Sequence, residues 1–174
     1  MNAIYLETEY WAQNLNARDP FELLDAIGAI VRISNDFDPD GLKGFATIMN
    51  GIMYCTINGN LSKHDRRIVA GHEAAHLILH KAEILQSPAC ALKDFNLYDN
   101  SGRLEFEANT FLADFLVSDE DVLEAASNPD SDYFTTAKEL YMPPPLLAFK
   151  LHSMMQRGLG VRNPDGLNSK FLGK

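Results

Sequence analysis

Apolar positions recur along this chain in two periods, and the places where the period changes mark its elements. In DPFELLDAIGAIVRIS (19–34), Leu23, Leu24, Ile27, Ile30 and Val31 follow the spacing of one amphipathic helix, with Asp19 as N-cap and Pro20 at the first helical position. In GFATIMNGIMYCTING (44–59) the pattern shortens. Two β-rich runs flank Asn50-Gly51, a pair that tolerates the positive φ of a type I′ turn, so a hairpin is predicted, closed by a second turn at 58–60. Ser62 or Asp65 then caps a helix running through about His80. The stretch 88–102 has no period and reads as a loop, whereas LEFEANTFLADFLVS (104–118) returns to helical spacing through Leu104, Ala108, Phe111, Leu112 and Phe115. SNPDSD (127–132) is polar and contains proline, as a linker would. Beyond it a short helix is predicted around 134–141, a break at Pro143-Pro144-Pro145, a helix around 146–157 and a glycine-rich tail. The expected fold is therefore α+β and helix-rich, with one small antiparallel sheet. A body over 1–126 carries a helical C-terminal extension, 133–174, packed on it.

Composition narrows the setting. A chain of 174 residues with 46% hydrophobic residues builds one ordinary core. No apolar run reaches membrane-spanning length, so no membrane association is expected. The N-terminal stretch MNAIYLETEYWAQ is acidic and mixed, unlike a secretory or transit leader. Cys55 and Cys90, each among apolar neighbours, read as free thiols in a reducing compartment, and a cytoplasmic location is expected. The net charge of −9 argues against a nucleic-acid surface over the whole molecule. Residues 134–174 nevertheless hold six basic against two acidic side chains, a net of +4 that leaves −13 for the remainder.

The candidate chemistry lies in VAGHEAAHLILH (69–80). Residues four apart on a helix differ by about 40° and rise about 6 Å, so His72 and His76 project from one face and can share a tetrahedral zinc ion. Glu73, on the flank of that face, is placed to take a proton from a water activated by the ion. Ala74, Ala75, Leu77, Ile78 and Leu79 make this helix apolar, and two histidines and a glutamate inside it are costly without partners. His80 stands about 6 Å beyond His76 and about 12 Å from His72 along the axis, too far to share one ion easily, and is expected beside the ligands or at the surface. A third ligand is sought on the next helix, where Glu105 and Glu107 sit among core residues. Two positions apart, they face different ways, so at most one serves. Asp114, two turns past Glu107, is a candidate to orient a ligating imidazole, or else a surface carboxylate.

RRIVAGHEAAHLILH, followed thirty residues later by EFEANTFLADFLVS, resembles the ImmA/IrrE family of zinc metallopeptidases. Arg67 matches the family's entry arginine, His72, Glu73 and His76 its HExxH zinc site, and Glu107-Ala108-Asn109 with Phe111 its second helix. The resemblance implies a zincin-like fold, Zn2+ as cofactor, Glu73 as catalytic base and Glu107 as third ligand. It also implies a particular substrate, since such proteins act on phage-type or stress-response repressors with a helix-turn-helix and are often encoded beside them on mobile elements. Ala75, Asp65, Val69 and the ending Leu116-Val117-Ser118 depart from the family's usual residues without removing a ligand, as in a divergent branch.

The expected function is thus zinc-dependent endopeptidase action on a repressor-like protein. The alternative is a non-proteolytic anti-repressor or sensor that binds its partner and keeps zinc for structure. A structural site is closed by four protein ligands, no fourth ligand is evident, and Glu73 has no purpose in one. His152, Tyr133 and Tyr141 are unranked candidates for stabilising the oxyanion. A strand such as Ile52–Ile57 is a candidate to align an extended peptide by edge pairing. Residues 135–161 have a rough helix-turn-helix look, but the three prolines at the corner do not suit a DNA-reading motif, so DNA contact is not expected. Leu146, Leu147, Leu151, Met154 and Met155 suit packing against the body, with partner docking as the second possibility.

Overall fold

The computed structural model describes residues 2–87, 91–94, 98, 102–128 and 131–161. Cys90 and the glycine-rich tail from residue 162 lie outside these. The chain falls into two compact units, residues 14–99 and residues 1–13 with 100–174. Among the described residues, no helix is long and apolar enough to cross a membrane. The α+β, helix-rich class expected from the sequence holds.

The unit of residues 14–99 holds α2 (Pro20–Ala26), β1 (Ile30–Ser34), β2 (Gly44–Met49), β3 (Ile52–Asn58), α3 (Lys63–Leu79), α4 (Lys81–Gln86) and β4 (Ala91–Asp94). The long helix expected over 19–34 is instead a helix and a strand. Asp19 caps α2 by accepting from Phe21 N at 2.8 Å, but Gly28 takes φ +75°, and the Ala29 N–H closes the helix end on Leu24 O. The run Ile30-Val31-Arg32-Ile33, rich in β-branched residues, then pairs as β1, parallel to β3 with Ile30 opposite Tyr54. The hairpin forms as expected: Asn50 and Gly51 take φ +51° and +79°, and Met49 faces Ile52.

The stretch read as a loop contributes β4, antiparallel to β2. The sheet order β1-β3-β2-β4 is mixed. It also corrects one expectation: Ile52–Ile57 lies in an interior strand with neighbours on both sides, so it has no edge to offer a peptide. α3 packs on the sheet through β2 and β3 and on α2. Ser62 caps it, accepting from Asp65 N at 3.0 Å and donating to Asp65 Oδ2 at 2.7 Å, so both candidate caps act together.

The other unit holds α1 (Asn2–Leu15), α5 (Arg103–Leu116), α6 (Asp119–Ala126), α7 (Tyr133–Glu139) and α8 (Pro144–Gln156). α1, which no sequence expectation covered, lies mainly in this unit. Ser118 and Asp121 form a reciprocal capping box at α6. Prolines at the start of α8 need no N–H there, so the triple proline begins that helix rather than merely ending the one before. α5 and α8 pack together, burying Phe111, Leu112, Phe115, Leu146, Leu147 and Phe149. Of the residues expected to pack from α8, Leu146, Leu147, Leu151 and Met154 are buried and Met155 is exposed.

A polar knot crosses this apolar core. Lys150 is fully buried, its Nζ 3.1 Å from Asp114 Oδ1 and 2.8 Å from Asp119 Oδ1. Ser153 Oγ donates to Asp114 Oδ2 at 2.6 Å, and Arg157 donates to Asp119 at 2.8 Å while its guanidinium stacks 3.6 Å from the centre of the Tyr5 ring. Four helices are thereby held at one point.

Candidate metal centre

α3 is buried without a break from Ile68 to Leu77, so His72, Glu73 and His76 lie within the protein. The entry arginine fixes one end: Arg67 Nη2 donates to Arg18 O at 2.7 Å, and its Nε lies 3.7 Å from Asp19 Oδ2, tying α3 to the cap of α2. One turn of helix then brings His72 Nε2 to 3.1 Å from His76 Nε2. Two nitrogens bound to one tetrahedral zinc at about 2.0–2.1 Å stand about 3.3–3.4 Å apart. The pair falls within a few tenths of an ångström of that edge, so the two imidazoles fit a shared ion.

His80 completes the arrangement from the end of α3. It is buried, and its Nδ1 lies 2.9 Å from His76 Nδ1. A neutral imidazole carries one proton. With that proton on His76 Nδ1 and given to His80, His76 Nε2 presents its lone pair toward His72, which is the tautomer metal ligation requires. His80 is thus a hydrogen-bonding partner of the His76 ring.

Glu73 turns toward the sheet, with both carboxylate oxygens fully buried. Burial, and next the charge of Glu73, push the Cys55 thiol of β3 well above its ordinary range. This leaves Cys55 an inert thiol beside the carboxylate.

Glu105 and Glu107 belong to the other unit, on α5. Glu107 shares the helix face of Asp114, seven positions on and within about 20°, and Asp114 is bound to α8. Its Oε2 accepts from Arg103 Nη1 at 2.8 Å, a half-exposed pair one turn apart. Glu105, nine positions before Asp114, points about 180° away from that face.

Residues 30–152 match the sequence model of the IrrE N-terminal-like domain, a family of M78 peptidases. The chain belongs to this family. The match takes in the sheet, the HEAAH helix, α5 and most of α8, so the resemblance seen in two motifs extends across most of the chain. No curated protein and no solved structure matches it. As an IrrE-type domain, the chain is a member of a metallopeptidase family, and the histidine geometry suits a metal.

The other candidates sort differently. Asp114 is buried, not superficial, and is engaged by Lys150 and Ser153. Burial raises its carboxyl above the usual range, against the pull of Lys150 and Ser153. Tyr133 donates its hydroxyl to the Pro144 carbonyl, linking α7 to the start of α8, and burial raises its pKa to about 12. Tyr141 is 86% exposed at the α7–α8 corner with φ +50°. His152 lies edge-on to Phe106, 5.7 Å between ring centres, and burial lowers its pKa, keeping it neutral at physiological pH. Sequence reasoning gave no account of Gly44, whose place beside Glu73 carries no motif.

Proposed function

We propose that this IrrE-type domain is a zinc-dependent endopeptidase that cleaves one protein partner, a phage-type or stress-response repressor carrying a helix-turn-helix. The observation that carries the reading is the convergence of two buried imidazole nitrogens at the edge length of a metal tetrahedron, with Glu73 next in sequence to one of them.

In this reading His72 Nε2 and His76 Nε2 hold the ion, and α5 supplies a carboxylate. The family resemblance implies Glu107 for that role. Helix geometry supports Glu105 better, because Glu107 shares the face bound to α8 whereas Glu105 is turned away from it. A bound zinc ion supplies Lewis acidity, which makes water acidic enough to be deprotonated near neutral pH and polarises a carbonyl. Glu73 takes a proton from the attacking water as its oxygen bonds to the scissile carbonyl carbon. When the C–N bond breaks, Glu73 delivers that proton to the leaving amine.

An extended substrate would pair with β4, an outer strand of the sheet next to β2, since β3 is interior. Register supports this choice: Asp94 of β4 lies opposite Gly44 of β2, where an added Cβ would meet the Glu73 carboxylate. Of the oxyanion candidates, His152 is preferred to Tyr133, whose hydroxyl is engaged by the Pro144 carbonyl.

The test compares cells expressing the wild type with cells expressing Glu73→Gln by labelling newly formed protein N-termini. New termini in one or a few proteins, a repressor among them, and only with the wild type, are expected. Identical termini in both would leave the non-proteolytic anti-repressor as the better account.

A further inference from the structure

Gly44 opens β2, opposite Ile57 of β3 and Asp94 of β4, with ordinary strand dihedrals. Glycine is therefore demanded here by space and not by backbone conformation. A Cβ at this position would lie 2.5 Å from Val69 Cγ1, 2.8 Å from Glu73 Oε1 and 3.1 Å from Thr56 O. Val69 and Glu73 are one turn apart on the same face of α3, so the start of β2 meets both. The Glu73 carboxylate rests in the gap that a side chain would fill, with Cys55 of β3 near its charge.

The geometry points to Gly44 as a positioning residue for Glu73: the missing side chain sets how deeply the carboxylate seats against the sheet, and so where its oxygens stand relative to the His72–His76 pair. This rests on the proposed role of Glu73 as the base. An added methyl forces Glu73 Oε1 from 2.8 Å to ordinary contact at 3.4 Å, a displacement of at least 0.6 Å. Proton transfer between positioned groups is sensitive to such shifts, and about 1 Å costs about 100-fold.

Gly44→Ala alone also strikes Val69, so the informative variant is Gly44→Ala with Val69→Ala, which removes the nearer clash; Val69→Ala alone is the reference. All are full-length chains loaded with zinc. In crystals, the Glu73 carboxylate of the double variant is expected to move at least 0.6 Å relative to the reference while the His72 and His76 rings superpose. Zinc content should be equal. On one quenched fluorogenic peptide, chosen from a library because the reference cleaves it, kcat should fall about 10- to 100-fold with KM within about threefold.

A carboxylate that stays in place overturns the proposal, as does a displaced one with kcat within about threefold of the reference. If the reference cleaves no peptide and yields no new protein N-termini in cells while the carboxylate moves as expected, the peptidase reading fails and the seating of Glu73 by Gly44 stands.

Discussion

Replacing Lys150 by methionine removes the cation at the centre of the α5–α8 core while nearly preserving its shape. The loss falls on Asp114. Its carboxylate is fully buried and would keep Ser153 Oγ at 2.6 Å and Arg157 Nη2 only at 3.7 Å. Asp119 is less affected, because Arg157 still holds it at 2.8 Å. Removing one partner of a buried ion pair costs about 3–5 kcal/mol, and the remaining Ser153 contact places Lys150→Met near the lower end, about 3 kcal/mol. With a urea dependence of about 2 kcal/mol per M, the unfolding midpoint should drop by about 1.5 M.

The pH dependence has a definite sign. Burial raises the Asp114 carboxyl, so the folded chain binds that proton more tightly than the unfolded chain, and the associated stability fades as pH rises through the folded pKa. Removing Lys150, the largest influence opposing that rise, raises the folded pKa further. The variant's deficit should therefore be smaller at about pH 4.5 than at about pH 8. Asp119 behaves oppositely: against the effect of burial, hydrogen bonds from Arg157 and Lys150 hold its carboxyl far below the usual range, so its contribution is lost as pH falls. Arg157 retains most of that contribution in both proteins. Adding Asp114→Asn to Lys150→Met should recover much of the loss, since it removes the stranded charge. Urea titrations at the two pH values decide the matter. A deficit under about 0.5 kcal/mol, or one that grows in acid, would refute the reasoning.

Two further predictions concern the metal centre. Glu105→Gln should weaken zinc binding at least about 100-fold in a competition with a chelator. Glu107→Gln, which breaks a half-exposed pair with Arg103, should leave it within several-fold and cost at most about 0.5 kcal/mol of stability; the reverse order would restore Glu107 as the ligand. His80→Ala removes the partner of His76 Nδ1 and should weaken zinc binding about 10- to 100-fold without changing the metal-to-protein ratio at saturation. An unchanged affinity would mean that His80 only fills space.

How far the sequence revealed this molecule depends on where each determinant lies. The HEAAH helix was legible because its cap, apolar lining and histidine spacing are all local. The hairpin was legible because Asn50-Gly51 dictates its turn. β1 was hidden because Ile30 and Val31 continue the helical spacing of α2, and only the left-handed turn at Gly28 separates them. β4 spans four residues and owes its extended form to pairing with β2, a contact that no local pattern announces. The burial of Asp114 was hidden for a related reason: its partner Lys150 lies 36 residues away. Between Glu105 and Glu107 the motif spoke for one residue and the helix face for the other. The role of Gly44 became visible only with Val69 and Glu73 set against it.

The central claim is tested most directly by anomalous diffraction at the zinc edge from crystals of the zinc-loaded full chain. The account predicts one strong peak about 2.0–2.2 Å from both His72 Nε2 and His76 Nε2, with one α5 carboxylate as third ligand and a coordination position left to water. A peak elsewhere, no peak, or a site closed by four protein side chains would contradict it.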